Sequence, residues 1–144
     1  FSMENASSVV AFFCFLSMLN DGMAYFTGIA FGRRSGTSGI LLASPNKSLV
    51  GFIGGMMAAI ATALVSYFWV LPDLFNGRPW WYALVMGIVC GVATITGDLF
   101  ESALKRSGHT KDSGNFFMGR GGVLDTFDSL MFTAPFFFIF IALA

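Results

Sequence analysis

An all-α bundle that crosses a membrane about four times is what this sequence predicts, and three observations carry it. Hydrophobic residues make up 56% of the chain and charged ones 11%, with a mean hydropathy of +0.74; soluble domains hold about a quarter charged residues. Long stretches carry no charged side chain at all. Basic residues gather in alternate connections, as they do in multi-pass membrane proteins.

The expected helices lie at about 9–31, 49–71, 81–104 and 123–144, and together they make residues 1–144 a single membrane domain. Residues 49–71 carry no charge and are long enough to cross a hydrocarbon layer of about 30 Å. A second uncharged run starts near Trp81 and leads into Asp98-Leu99-Phe100-Glu101-Ser102, and a third begins at Val123 and closes on "APFFFIFIALA". The first segment is interrupted by Asn20-Asp21-Gly22. An acid inside a span costs roughly 2.5–3.5 kcal/mol on insertion scales, so such a residue is expected to face a polar cavity.

Arg33, Arg34 and Lys47 lie in the connection 32–48, and Lys105, Arg106, Lys111 and Arg120 in 98–122, whereas 72–80 holds only Arg78 against Asp73. The positive-inside rule therefore puts the first two connections in the cytoplasm and the third outside. Trp69, Trp80, Trp81 and Tyr82 flank the outer connection as an interfacial aromatic belt. Gly28-x-x-x-Gly32, Gly51-x-x-x-Gly55 and Gly87-x-x-x-Gly91 give each of the first three helices a face for close packing. Cys14 and Cys90 sit in apolar surroundings and read as small buried side chains, and the phenylalanines of the last segment read as lipid-facing bulk. The chain begins at Phe1 without Met, so it is expected to be the C-terminal part of a longer protein.

Eight basic residues balance eight acidic ones, so no global field draws a partner and a nucleic-acid partner is not expected. There is no Ser-His-Asp set, CxxC pair or Walker-type loop. The charges are local: "SALKRSGHTKDSGNFFMGRGGVLDTFD", residues 102–128, joins the third helix to the fourth. With 32–48 and Asn20-Asp21 it forms the expected cytoplasm-facing active-site region, 98–128 supplying most of it.

Asp125 and Asp128 stand one turn apart just after Gly121-Gly122, at the N-terminal turn of a helix, where carboxylates are favoured. Two carboxylates on one face can hold a hard cation such as Mg²⁺, with Asp112 completing the shell. The N–H groups of Gly121 and Gly122, with Lys105, Arg106, Lys111 and Arg120, can cradle a triphosphate. Such a set suits phosphoryl or nucleotidyl transfer. Asp98, Glu101 and Lys105 share one face if the third helix continues through them; the alternative to a site there is ion pairing of Asp98 and Glu101 with Lys105 or Arg106 along that helix. His109 has no second His or Cys near it and reads as a loop residue.

The run Ser102-x-Leu104-Lys105-Arg106-x4-Lys111-Asp112-x-Gly114-x2-Phe117-x2-Arg120-Gly121-Gly122-Val123-x-Asp125-x-Phe127-Asp128 resembles the signature of the phosphatidate cytidylyltransferases, also called CDP-diacylglycerol synthases. "NDGMAYFTGIAFGRR" and "SPNKSLVGFIGG" resemble that family's two upstream blocks, in the same order. The resemblance implies a Mg²⁺-dependent membrane enzyme, with a second cation in some settings and often a homodimer, that condenses CTP with phosphatidate to CDP-diacylglycerol and pyrophosphate in phospholipid biosynthesis. It implies Asp112, Asp125 and Asp128 as metal-site acids with Lys111 beside them, Lys105, Arg106 and Lys111 as phosphate contacts, and Asn20, Asp21 and Lys47 lining the same cavity. Four positions depart from the pattern: Arg120 stands for His, Thr126 for Arg, Met118 for Pro or Gly, and Val50 for Glu. The first two move one basic group across Gly-Gly.

Two other enzyme classes share these features, a CTP-dependent lipid kinase of the polyprenol type and a cytidylyltransferase for another lipid phosphate. Outside enzymes, an ion transporter or channel would also place Asp21 in a span, although the charges here cluster at one surface instead of running across the bilayer.

Overall fold

The computed structural model describes residues 3–32, 48–75, 77–107 and 123–143; at 3–5, 105, 106 and 123–128 the description covers the backbone alone. Among the described residues four helices run alternately up and down. α1 (Met3–Thr27) continues through a π-helical turn, Gly28–Gly32; α2 (Leu49–Val65) continues likewise through Ser66–Val70; a 3-10 turn, Pro72–Phe75, leads to α3 (Trp80–Ser107), and α4 (Val123–Leu143) completes the bundle. Three helical stretches, Ala6–Gly32, Leu49–Val70 and Trp80–Leu104, are long and apolar enough to cross a membrane, and α4 carries the shorter apolar stretch Ser129–Leu143.

α1 begins earlier than hydropathy suggests and passes without a break through Asn20-Asp21-Gly22. The polar triplet does not interrupt the helix, because every backbone hydrogen bond at membrane depth must be made within the segment. α3 likewise runs on through Asp98, Glu101 and Lys105 to Ser107, well past the uncharged stretch.

α1 packs on α2, α2 on α3 and α3 on α4, and α1 also touches α3 and α4, which closes the bundle. The first two interfaces are glycine seams. A Cβ built at Gly51 would lie 2.7 Å from the carbonyl oxygen of Ala24, and one at Gly87 would lie 2.9 Å from the Cα of Ile60 and 3.1 Å from the Ala59 carbonyl. Backbones approach so closely there that dispersion and weak Cα–H contacts hold the pairs, as in other membrane bundles. Ser48 starts α2 as its N-cap, accepting from the Gly51 N–H at 3.1 Å; it is buried against Gly28 and Gly32. The last residue of "SPNKS" is thus a helix cap.

Leu16, Ala59, Ala63, Met86 and Cys90 form the sealed middle of the bundle. Cys90 is a buried free thiol and Cys14 a half-buried one. α4 is only partly as expected: Phe136 and Phe138 face outward, but Phe137 is buried, with its ring 5.5 Å from Phe12 and 5.1 Å from Phe13. At the end bearing residues 67–82, Trp69, Trp80 and Trp81 are exposed, while Tyr82 turns inward and donates to the Phe140 carbonyl at 2.6 Å. Arg78 does more than mark topology. It donates to the Leu143 carbonyl, lies 5.6 Å over the Tyr82 ring, and its own carbonyl accepts from Tyr67 at 2.9 Å.

Candidate active site

The opposite end of the bundle holds the acids. α3 and α4 are antiparallel, with Tyr82 beside Phe140, Thr94 beside Thr133 and Phe100 beside Phe132. Both helices rise about 1.5 Å per residue, so counting from the threonine pair places Asp98 level with Ser129 and Asp128, and Glu101 level with Thr126 and Asp125. Two acids one turn apart on α3 therefore stand at the depth of two acids one turn apart on α4. Glu101 is buried, at 6% exposure, Ser129 is buried at 5%, and Asp98 is half-buried.

Carboxylates tolerate burial only with partners or a cation, so the depth of Glu101 marks this end as polar inside an otherwise apolar bundle. Helical spacing had grouped Asp98 and Glu101 without separating an ion pair from a site. Their placement opposite the start of α4 is the added information.

Asn20 has other surroundings than a cavity. At 1% exposure it is sealed between three helices, its Nδ2 donating to the Gly91 carbonyl of α3 at 3.3 Å, while its Oδ1 lies against Gly55 of α2 and has no hydrogen-bond partner among the described residues. Its neighbour Asp21 is exposed on the bundle surface. Gly91 precedes Asp98 by two helical turns, about 10 Å along the axis, so Asn20 and Asp21 do not reach the level of the acids. Lys105 and Arg106 lie on the last turns of α3, and Asp125 and Asp128 on the first turns of α4. Lys47, Lys111, Asp112, Arg120, Gly121 and Gly122, with His109, lie outside the described residues.

Among the described residues no three His, Cys, Asp or Glu side chains gather as a metal site; of the four acids, only Asp98 and Glu101 have described side chains. The chemistry of the donor set still fits a hard cation. Among the described residues the acids at this end, Asp98 and Glu101, offer carboxylate oxygens, whereas Cys90 lies deep in the core and Cys14 is farther along α1; carboxylate donors suit Mg²⁺.

Residues 2–144 match the model of the "Cytidylyltransferase family". The chain belongs to that family. Similar cytidylyltransferases include the phosphatidate cytidylyltransferase of Bacillus subtilis, 41% identical over 130 residues, which covers 90% of this chain and 46% of the relative. That of Thermotoga maritima is 40% identical over 117 residues, covering 80% of this chain and 42% of the relative. The uncharacterized protein YnbB of Escherichia coli is 35% identical over 140 residues, covering 97% of this chain and 44% of the relative. The chain thus spans about half the length of the curated relatives it matches.

Proposed function

We propose that the protein transfers a cytidylyl group from CTP to phosphatidate, giving CDP-diacylglycerol and pyrophosphate. The observation that carries this is the placement of Asp98 and Glu101 level with Asp128 and Asp125 at one end of an apolar bundle, in a chain of the cytidylyltransferase family. Relatives named phosphatidate cytidylyltransferase supply the substrate pair.

In this proposal a phosphate oxygen of phosphatidate attacks the α-phosphorus of CTP, a new P–O–P bond forms, and the bond to the β-phosphate breaks as pyrophosphate leaves. Phosphatidate is already an anion, so no strong general base is needed. The barrier to lower is the mutual repulsion of two polyanions and the entropy of bringing them together. Lys105, Arg106, Lys111 and Arg120 neutralise the triphosphate, and the Gly121 and Gly122 N–H groups orient it. Asp112, Asp125 and Asp128, joined by Asp98 and Glu101 of α3, would hold Mg²⁺, which when bound would supply charge neutralisation for the phosphates. Lys47 and Asp21 line the approach, and Asn20 contributes by holding α1 to α3.

A lipid acceptor also suits the bundle. An apolar groove of about 320 Å³ between α1 and α4, lined by Val10, Phe13, Ala134 and Phe138 among others, begins two turns beyond Asp128. An acyl chain can follow it from a headgroup held at the acids. The acid end faces the cytoplasm, where CTP is made, and the enzyme works as a homodimer.

Labelled CTP tests the reaction. With full-length protein and phosphatidate, the label of [α-³²P]CTP is expected in the lipid and that of [γ-³²P]CTP in pyrophosphate. Transfer of the γ label to a lipid would replace this proposal with a kinase.

A further inference from the structure

Thr94 and Thr133 are both fully buried, and their hydroxyl oxygens lie 2.8 Å apart across the α3–α4 interface. Each also lies within hydrogen-bond distance of a carbonyl in its own helix: Thr94 Oγ1 is 2.9 Å from the Cys90 carbonyl, and Thr133 Oγ1 is 2.7 Å from the Ser129 carbonyl. Two hydroxyls carry two protons, and three contacts compete for them. Three arrangements meet the count. If each threonine donates to its own helix carbonyl, the two hydroxyl oxygens are left lone pair to lone pair at 2.8 Å, which is repulsive. In the other two, either Thr94 donates to Cys90 and Thr133 to Thr94, or Thr133 donates to Ser129 and Thr94 to Thr133; both keep the link between the helices and exchange only which backbone carbonyl is served.

The pair sits where the register of the two helices matters. Asp98 follows Thr94 by one turn, and Ser129 and Asp128 precede Thr133 by about one turn. Beyond it, Pro135 lies inside α4 and removes one intrahelical hydrogen bond there, so side-chain ties carry more of this turn's position. Among the described residues, α3 and α4 are also linked by the Tyr82 hydroxyl donating to the Phe140 carbonyl at 2.6 Å, at the far end beyond Pro135, and, on the side of the acids, by the ring contact of Phe100 with Phe132, whose broad geometry tolerates sliding. A 2.8 Å hydrogen bond does not.

We propose that the Thr94–Thr133 hydroxyl pair is a positioning clasp that fixes the register of α3 against α4, and with it the spacing of Asp98 and Glu101 from Asp125 and Asp128. The proposal rests on the acids holding a divalent cation, as under the function above. Neither threonine touches substrate or metal; both act through the helices. Their role is analogous to outer-shell groups that orient metal ligands, whose loss weakens metal affinity by about 10–100-fold.

Mn²⁺ binding to the full-length protein in detergent, read from the loss of the free-ion EPR signal, tests this without turnover. Thr94→Val and Thr133→Val keep side-chain volume, and each is expected to weaken Mn²⁺ binding about tenfold, with a thermal midpoint near that of the unaltered protein. The double variant is expected to bind no more weakly than either single one, because the pair acts as a unit, and Thr133→Ser is expected to restore binding. Wild-type affinity in either Val variant overturns the clasp, as does a double variant whose loss is the product of the two single losses. Unaltered protein that leaves the Mn²⁺ signal unchanged overturns the metal assignment itself, and the clasp with it.

Discussion

The two ends of the bundle are built on opposite principles. At the end bearing residues 67–82, polar groups find partners within the fold: Tyr82 donates to Phe140, Tyr67 to the Arg78 carbonyl, and the Arg78 guanidinium to the last turn of α4. At the other end, carboxylates stand on facing helices, one of them buried, in a number that helix capping does not require. The first arrangement closes a fold. The second gathers acids of two helices at one depth, with Lys105 and Arg106 on the last turns of α3, the arrangement that the proposed metal and triphosphate would engage. Between them, glycine seams bring α1, α2 and α3 together by close fit, and the Asn20 amide ties α1 to α3.

The sharpest way to test that contrast is to remove one charge from the acid end. Asp128→Asn is expected to lower pyrophosphate release by about 10³-fold or more, since it deletes a carboxylate from the proposed metal-holding set, while the thermal midpoint holds. Activity near wild type would remove Asp128 from the site. Substitution in the glycine seam should do the reverse. Gly87→Leu forces side-chain atoms against the backbone of Ile60 and Ala59 and is expected to destabilise the fold by about 3 kcal/mol, lowering the yield of folded protein in detergent chromatography.

A smaller effect is expected from Glu101→Gln, which keeps shape and removes charge: about tenfold less activity at limiting Mg²⁺, recovered at high Mg²⁺, as a metal titration would reveal. Loss that no Mg²⁺ concentration repairs would make Glu101 a structural acid. Least of all, Arg78→Ala removes a hydrogen bond and a cation–π contact at the far end and should cost about 1 kcal/mol. It shifts the melting curve slightly and leaves the KM for CTP unchanged; an altered KM would join the two ends that the comparison separates.

Much of this was legible in the sequence. Uncharged runs located the helices, because a bilayer demands long apolar segments with internally satisfied backbones, and the Gly-x-x-x-Gly spacings located the close contacts. Which side of each helix faces inward was not legible. In a membrane both the core and the lipid-facing surface are apolar, so the contrast that reveals an amphipathic soluble helix is lost. Phe137 and Phe138 are indistinguishable as letters, yet one is buried at 5% exposure and the other exposed at 71%.

The same loss of contrast hid the threonine pair, whose residues lie 39 apart in the chain, and it made Asn20 look like a cavity residue when its amide joins three helices. For the acid end, the i, i+3 spacings named the pairs Asp98/Glu101 and Asp125/Asp128. Setting one pair opposite the other required the antiparallel register, which no local pattern records.

Pyrophosphate release from CTP by the full-length protein in detergent, with and without phosphatidate and with Mg²⁺ present or chelated, decides whether the acid end is a metal-dependent site for two polyanions. Release that requires both lipid and metal is the predicted result. Release without phosphatidate, or undiminished by chelation, would contradict the account of the acid end as a metal-dependent site joining two polyanions.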